Sequence, residues 1–162
     1  MGVVQFGRLA GLLEGMRSRK ARICAGLEGV SKAIVPRRQN DAAGDAAICI
    51  MFMVPTVELC EKFVKALAAE GVDVMHAYHQ KLHDWHVAHH WEHMIQQITP
   101  TPDGYPYRDP ARNAPPPSYA DLCPKSADLL GRTVHINVPP QLTDADCDMI
   151  AEAVRKVAKA YL

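Results

Sequence analysis

Eight of the twelve prolines in this 162-residue chain fall between Pro100 and Pro124, and they decide where regular structure can form. Proline fixes φ and removes a backbone donor, so this segment cannot be a helix interior or a central strand. Gly104, Tyr105, Tyr107 and Tyr119 lie among the prolines. Aromatic side chains gain by covering apolar area, so the segment is expected as an extended crossing laid against a surface. Helices and strands must come from the residues on either side.

Ahead of the crossing, Phe6, Leu9, Leu13, Met16, Ile23, Leu27 and Val30 recur at spacings near three, four and seven. That is the pattern of a long amphipathic helix from Val3 to about Val30 with one apolar stripe. Gly7, Gly11, Gly15 and Gly26 each lower helix propensity by roughly 1 kcal/mol relative to alanine, so the helix is expected to depend on packing. Pro36 and the polar run Arg37 to Asp45 end it. Ala46 to Val54 is a continuous apolar run bounded by Gly44 and Pro55, which reads as a buried strand. Thr56 can cap the next helix, with Val57, Cys60, Phe63, Val64 and Leu67 inward and Glu58, Glu61, Lys62, Lys65 and Glu70 in solvent. Gly71 closes that helix, and Val72 to Ala77 is a second short strand.

Beyond the crossing come Cys123-Pro124, a short helix, an edge strand from Thr133 to Val138, and a break at Pro139 and Pro140. Thr143 with Asp146 forms a capping-box pattern ahead of a terminal helix striped by Ile150, Ala153, Val154, Val157 and Tyr161. The sum is an α+β domain over residues 31–162, a small and mainly antiparallel sheet packed on helices in two layers, preceded by a long N-terminal helix over 1–30.

Eighteen basic and eighteen acidic residues cancel, so the chain has no long-range field for nucleic acid or an anionic membrane. A protein or small-molecule partner is expected. The five cysteines are scattered and never form a Cys-x-x-Cys pair, which fits a reducing cytoplasm better than a disulfide framework or a zinc ribbon. No apolar run approaches the roughly 20 residues of a membrane span, and no signal core opens the chain.

Seven of the eight histidines lie between His76 and His93, and His76, His79, His83, His86, His90 and His93 follow a three-four-three-four-three spacing. On one uninterrupted helix they would share a face able to take a transition metal, and His89 to His93 formally match the H-x-x-E-H pattern of inverted zinc peptidases. The strand expected over Val72 to Ala77 would break that register, and no third ligand is marked. No metal site is nominated.

The closing segment from Ser118 onward resembles the C-terminal end of the DegT/DnrJ/EryC1/StrS family of pyridoxal-phosphate sugar aminotransferases. Gln5, Arg8 and Leu9 resemble the Gln-Leu-x-x-Leu of the long helix joining that family's two domains. Ala66-Leu67 with Glu70-Gly71-Val72 resembles its helix-to-strand turn, and Cys123-Pro124 its substrate-side crossing. Tyr78 to His83 occupies the place of a Tyr-Pro-x-Pro-Leu-His turn; Tyr78, Leu82 and His83 agree, and both prolines are missing. The chain thus resembles the small domain of a fold-type I pyridoxal-phosphate enzyme, the closing part of a longer protein.

The resemblance implies that the loop after the second strand faces the cofactor cleft, where Tyr78, His83, Trp85 and His86 would touch a keto-sugar. The alternative for these four is partly buried packing. A transaminase of this type needs a lysine for the internal aldimine, an acidic partner for the pyridine nitrogen, and phosphate donors. In the family the lysine lies N-terminal to everything seen here. The eight lysines (Lys20, Lys32, Lys62, Lys65, Lys81, Lys125, Lys156, Lys159) read as solvated surface charges, so no catalytic residue is nominated and pyridoxal phosphate is not expected on this chain alone. Three readings stay open: part of a split aminotransferase working with a complementary cofactor-domain chain as a homo- or hetero-oligomer, an inactive remnant, or a histidine-rich metal-binding module.

Overall fold

A computed structural model describes residues 2–76, 88–111 and 123–162. The helix periodicity of the first segment is realised as α1 (Gly2–Gly26), 25 residues long. It ends four residues before the expected Val30, in turns closed by Leu27 and Val30 donating to Cys24 and Leu27 carbonyls. Only its C-terminal half is seated: Ile23 is fully buried, while Val3, Val4 and Phe6 are exposed.

The apolar run after the polar loop becomes β2 (Cys49–Met53), preceded by a two-residue strand, β1 (Val35–Pro36). The strand starts later than Ala46 because Ala47 takes a left-handed φ of 58°, which extended structure cannot contain. Then follow α2 (Val57–Ala69) and β3 (Val74–His76), with Gly71 at φ 86° making the turn between them. Thr56 caps α2 as expected, its hydroxyl accepting from the Leu59 amide at 3.2 Å. Short helical pieces occupy Ala88–His90, a 3-10 turn, and α3 (Glu92–Ile95). The last third of the fold is α4 (Pro124–Gly131), β4 (Thr133–Asn137) and α5 (Asp144–Tyr161). Both halves of the Thr143–Asp146 capping box are formed at the start of α5.

The four strands run in the order β1-β2-β4-β3 and all pair antiparallel. β4 is therefore an interior strand and not the edge strand expected from its sequence. The prolines at 139 and 140 follow its last paired residue, so they stop it without capping its sides. Pro36 instead sits on β1, one of the two edge strands, where a missing amide costs least.

One sheet face carries the core. Ile50, Phe52, Val134 and Ile136 point from it toward Cys60, Phe63 and Leu67 of α2, Val154 and Val157 of α5, and Ile23 of α1. Phe52 and Phe63 meet edge to face at 6.0 Å and 82°, an arrangement that adds about 0.5–1.5 kcal/mol beyond area burial. The result is a two-layer α+β domain, helices on one side of a small antiparallel sheet.

α1 is locked onto α5 by close approach and by charge. A Cβ placed on Gly26 would stand 2.6 Å from the Ala151 Cβ, so this glycine lets the two backbones meet. Arg22 spans to Asp148 at 2.6 and 2.7 Å and to Asp144 at 3.2 Å, and Arg19 donates to the Leu142 carbonyl. Gly7 and Gly11, by contrast, have open space around them. The four glycines expected to need packing thus divide: Gly26 at the contact with α5, Gly15 beside the Arg19 side chain of its own helix, and Gly7 and Gly11 on the projecting half.

Candidate functional site

Where α1 leaves the domain, the polar loop between β1 and β2 folds back against it and encloses a cavity of about 470 Å³. Arg17, Lys20, Ala21 and Cys24 line it from the helix, Pro36, Arg37 and Gln39 from the loop start, and Asp45, Ala47, Ile50 and Met51 from its far side. The loop is held by its own polar groups: Asp41 accepts from the Gly44 amide at 2.9 Å. Ala47, buried and in the left-handed region, turns the chain from the loop into β2.

Asp45 organises the charges. Its Oδ2 accepts from Lys20 Nζ at 2.5 Å and Gln39 Nε2 at 2.8 Å, and its backbone carbonyl accepts from Arg17 Nε at 2.8 Å. The Lys20 bond, with weaker help from the Ala47 amide and the Arg37 charge, holds its carboxyl below the usual aspartate range. The Arg37 guanidinium makes no hydrogen bond or ion pair among the described residues, while its amide donates to the Met51 carbonyl at 2.9 Å. The cavity therefore has an apolar floor and a cationic rim.

Sequence reasoning missed this cluster and read Lys20 as a solvated charge. Its side chain is only 14% exposed, because Asp45, 25 positions away, is drawn against it. The available signal was Arg17 and Lys20 one helical turn apart, followed by Arg37 directly after a proline.

The nominated substrate residues Tyr78, His83, Trp85 and His86 lie outside the described residues, as does the greater part of the tract after β3. The described histidines of that tract are divided among elements. His76 is on β3, inward-facing, with Nε2 donating to the Gly131 carbonyl at 2.6 Å. His90 is buried in the 3-10 turn, and His93 is in the four-residue α3. The break in helical register expected at the second strand is present. The H-x-x-E-H run likewise crosses from the 3-10 turn into α3. Among the described residues, no group of three or more His, Cys, Asp or Glu is arranged to hold a metal.

A covalent pyridoxal-phosphate seat needs a lysine amine that is sheltered and able to lose its proton. Lys32, Lys62, Lys65, Lys125 and Lys159 are exposed, and Lys156 is paired with Glu70 at 2.8 Å in solvent. Lys20 is sheltered, but its Nζ is engaged by the Asp45 carboxylate. The described lysines do not fit the cofactor's covalent seat. No helix among the described residues is long and apolar enough to cross a membrane.

No family model matches the sequence. Among solved structures, that of 3-amino-5-hydroxybenzoic acid (AHBA) synthase matches with a TM-score of 0.64 and 17% identity, covering 96% of this chain and 36% of that one. At that identity the likeness is one of fold. The fold includes the long helix as well as the sheet and its helices, and the chain spans about a third of the length of the structure it matches.

Proposed function

We propose that this chain is the small-domain part of a pyridoxal-phosphate sugar aminotransferase that acts with a complementary chain carrying the cofactor domain. The observation that carries the reading is the fold match, which takes in 96% of the chain yet only 36% of AHBA synthase, a synthase named for an aromatic amine. The resemblance of Gln5, Arg8 and Leu9, of the Glu70-Gly71-Val72 turn and of Tyr78 to His83 to the DegT/DnrJ/EryC1/StrS family supports it from sequence.

The exposed half of α1 gives the proposed partner a place to dock. Phe6 and Leu9 continue the stripe that seats Ile23 in the core, yet they are 77% and 42% exposed. A helix stripe of this kind is stable in water only at a cost, and covering it would contribute roughly 25 cal/mol per Å². In this reading the complementary chain supplies the Schiff-base lysine and phosphate donors, and Tyr78, His83, Trp85 and His86 contact the keto-sugar. Glutamate or glutamine supplies the amine, and the working unit is a dimer or higher oligomer with the cytoplasm as its compartment.

The test is reconstitution. Neither the purified chain nor a complementary cofactor-domain chain should transfer an amino group to a keto-sugar nucleotide alone, and the mixture should. His83→Ala should lower kcat of the mixture without changing the melting temperature of the small domain. A folded, associated pair that remains inert would refute the reading.

A further inference from the structure

The charges of the cavity beside α1 are given no role in the proposed reaction. We propose that this cavity binds a phosphate monoester, a dianionic phosphate carried on a small organic body. Three cations, Arg17, Lys20 and Arg37, face one carboxylate, Asp45, leaving an excess of two positive charges on the rim. A phosphate monoester is close to a dianion at neutral pH, its second pKa being about 6. A lone carboxylate would leave one positive charge uncompensated.

Geometry assigns the roles. Asp45 is occupied by Lys20 and Gln39, so it positions the lysine and does not face an incoming anion with an unpaired charge. Arg17 is oriented through its Nε to the Asp45 carbonyl, which leaves its terminal nitrogens for a ligand. Arg37 has its full fork available among the described residues, and an arginine fork matches two phosphate oxygens at once. Ala21 and Ile50 are among the apolar residues lining the cavity, against which the organic body would rest. A volume of about 470 Å³ lies in the range of small-molecule sites. The left-handed backbone at buried Ala47, a conformation costing on the order of 1–3 kcal/mol at a non-glycine residue, is the kind of local strain that collects at ligand sites.

Isothermal titration of the full chain at fixed ionic strength with phenyl phosphate, inorganic phosphate and benzoate tests this. The expected result is saturable one-to-one binding of phenyl phosphate, about tenfold tighter than the other two. Arg37→Ala should weaken it by about tenfold or more with an unchanged melting temperature, and Arg37→Lys should recover part of the loss. Benzoate binding as tightly as phenyl phosphate would overturn the dianion assignment. Inorganic phosphate binding equally well would overturn the role of the apolar floor. Absence of saturable binding, or Arg37→Ala binding like the wild type, would overturn the site itself.

Discussion

Replacing Gly26 by alanine should destabilise the domain although alanine is the better helix former. The added Cβ would stand 2.6 Å from the Ala151 Cβ, where carbon atoms prefer about 3.5–4.0 Å. α1 and α5 must then move apart by roughly 1 Å, or Ala151 must shift inside a filled core. Overpacking of this size costs about 1–3 kcal/mol. Helix propensity returns at most about 1 kcal/mol, and less at the final residue of a helix. The net expectation is a loss of about 1–2 kcal/mol, read as a lower urea midpoint at constant m-value.

Ala151→Gly provides the control, because it removes the colliding methyl. By itself it should cost about 1 kcal/mol in the interior of α5. The double variant should be more stable than the sum of the two losses by about 1–2 kcal/mol. A stabilised Gly26→Ala protein, or strict additivity of the two substitutions, would show that the helices do not meet at this point.

Three further outcomes follow from the packing and the charges. Burial pushes the Cys60 thiol up to about 12; thiol labelling of the native chain near pH 8 should modify exposed Cys123 and leave Cys60 untouched until the chain is unfolded. Asp45, Asp146 and Asp148 are held below the usual aspartate range by Lys20, Thr143 and Arg22 respectively. Their stabilisation is fully present above the unfolded aspartate value and lost as pH falls through the folded values, so the contribution of these carboxylates to the melting temperature should be constant above about pH 5 and shrink below about pH 4. A melting temperature that rose on acidification would contradict these contacts. Finally, Phe6→Ser at a 77% exposed position should leave the melting temperature of the isolated chain unchanged and weaken its association with the complementary chain; unchanged association would remove α1 from the interface.

What the sequence disclosed was what depends on neighbouring residues. The caps at Thr56 and Thr143, the turn at Gly71 and the inward face of α2 involve atoms within a few positions of each other, and each is formed as expected. Placement of β4 inside the sheet depends on pairing with β2 and β3, residues far apart in the chain, and proline punctuation carries no information about that. The same holds for the cavity: Lys20 and Asp45 meet across a loop whose path is set by the buried left-handed turn at Ala47, an alanine with no sequence mark of its role. The substrate residues inferred from family resemblance rest on a turn that has lost both of its prolines.

Mapping the cofactor in a reconstituted, active pair tests the central claim most directly. Borohydride reduction at stoichiometric pyridoxal phosphate, followed by peptide mass mapping, should place the pyridoxyl group on one lysine of the complementary chain and on none of the lysines here. A single stoichiometric adduct on a lysine of this chain would contradict the assignment of the cofactor to its partner.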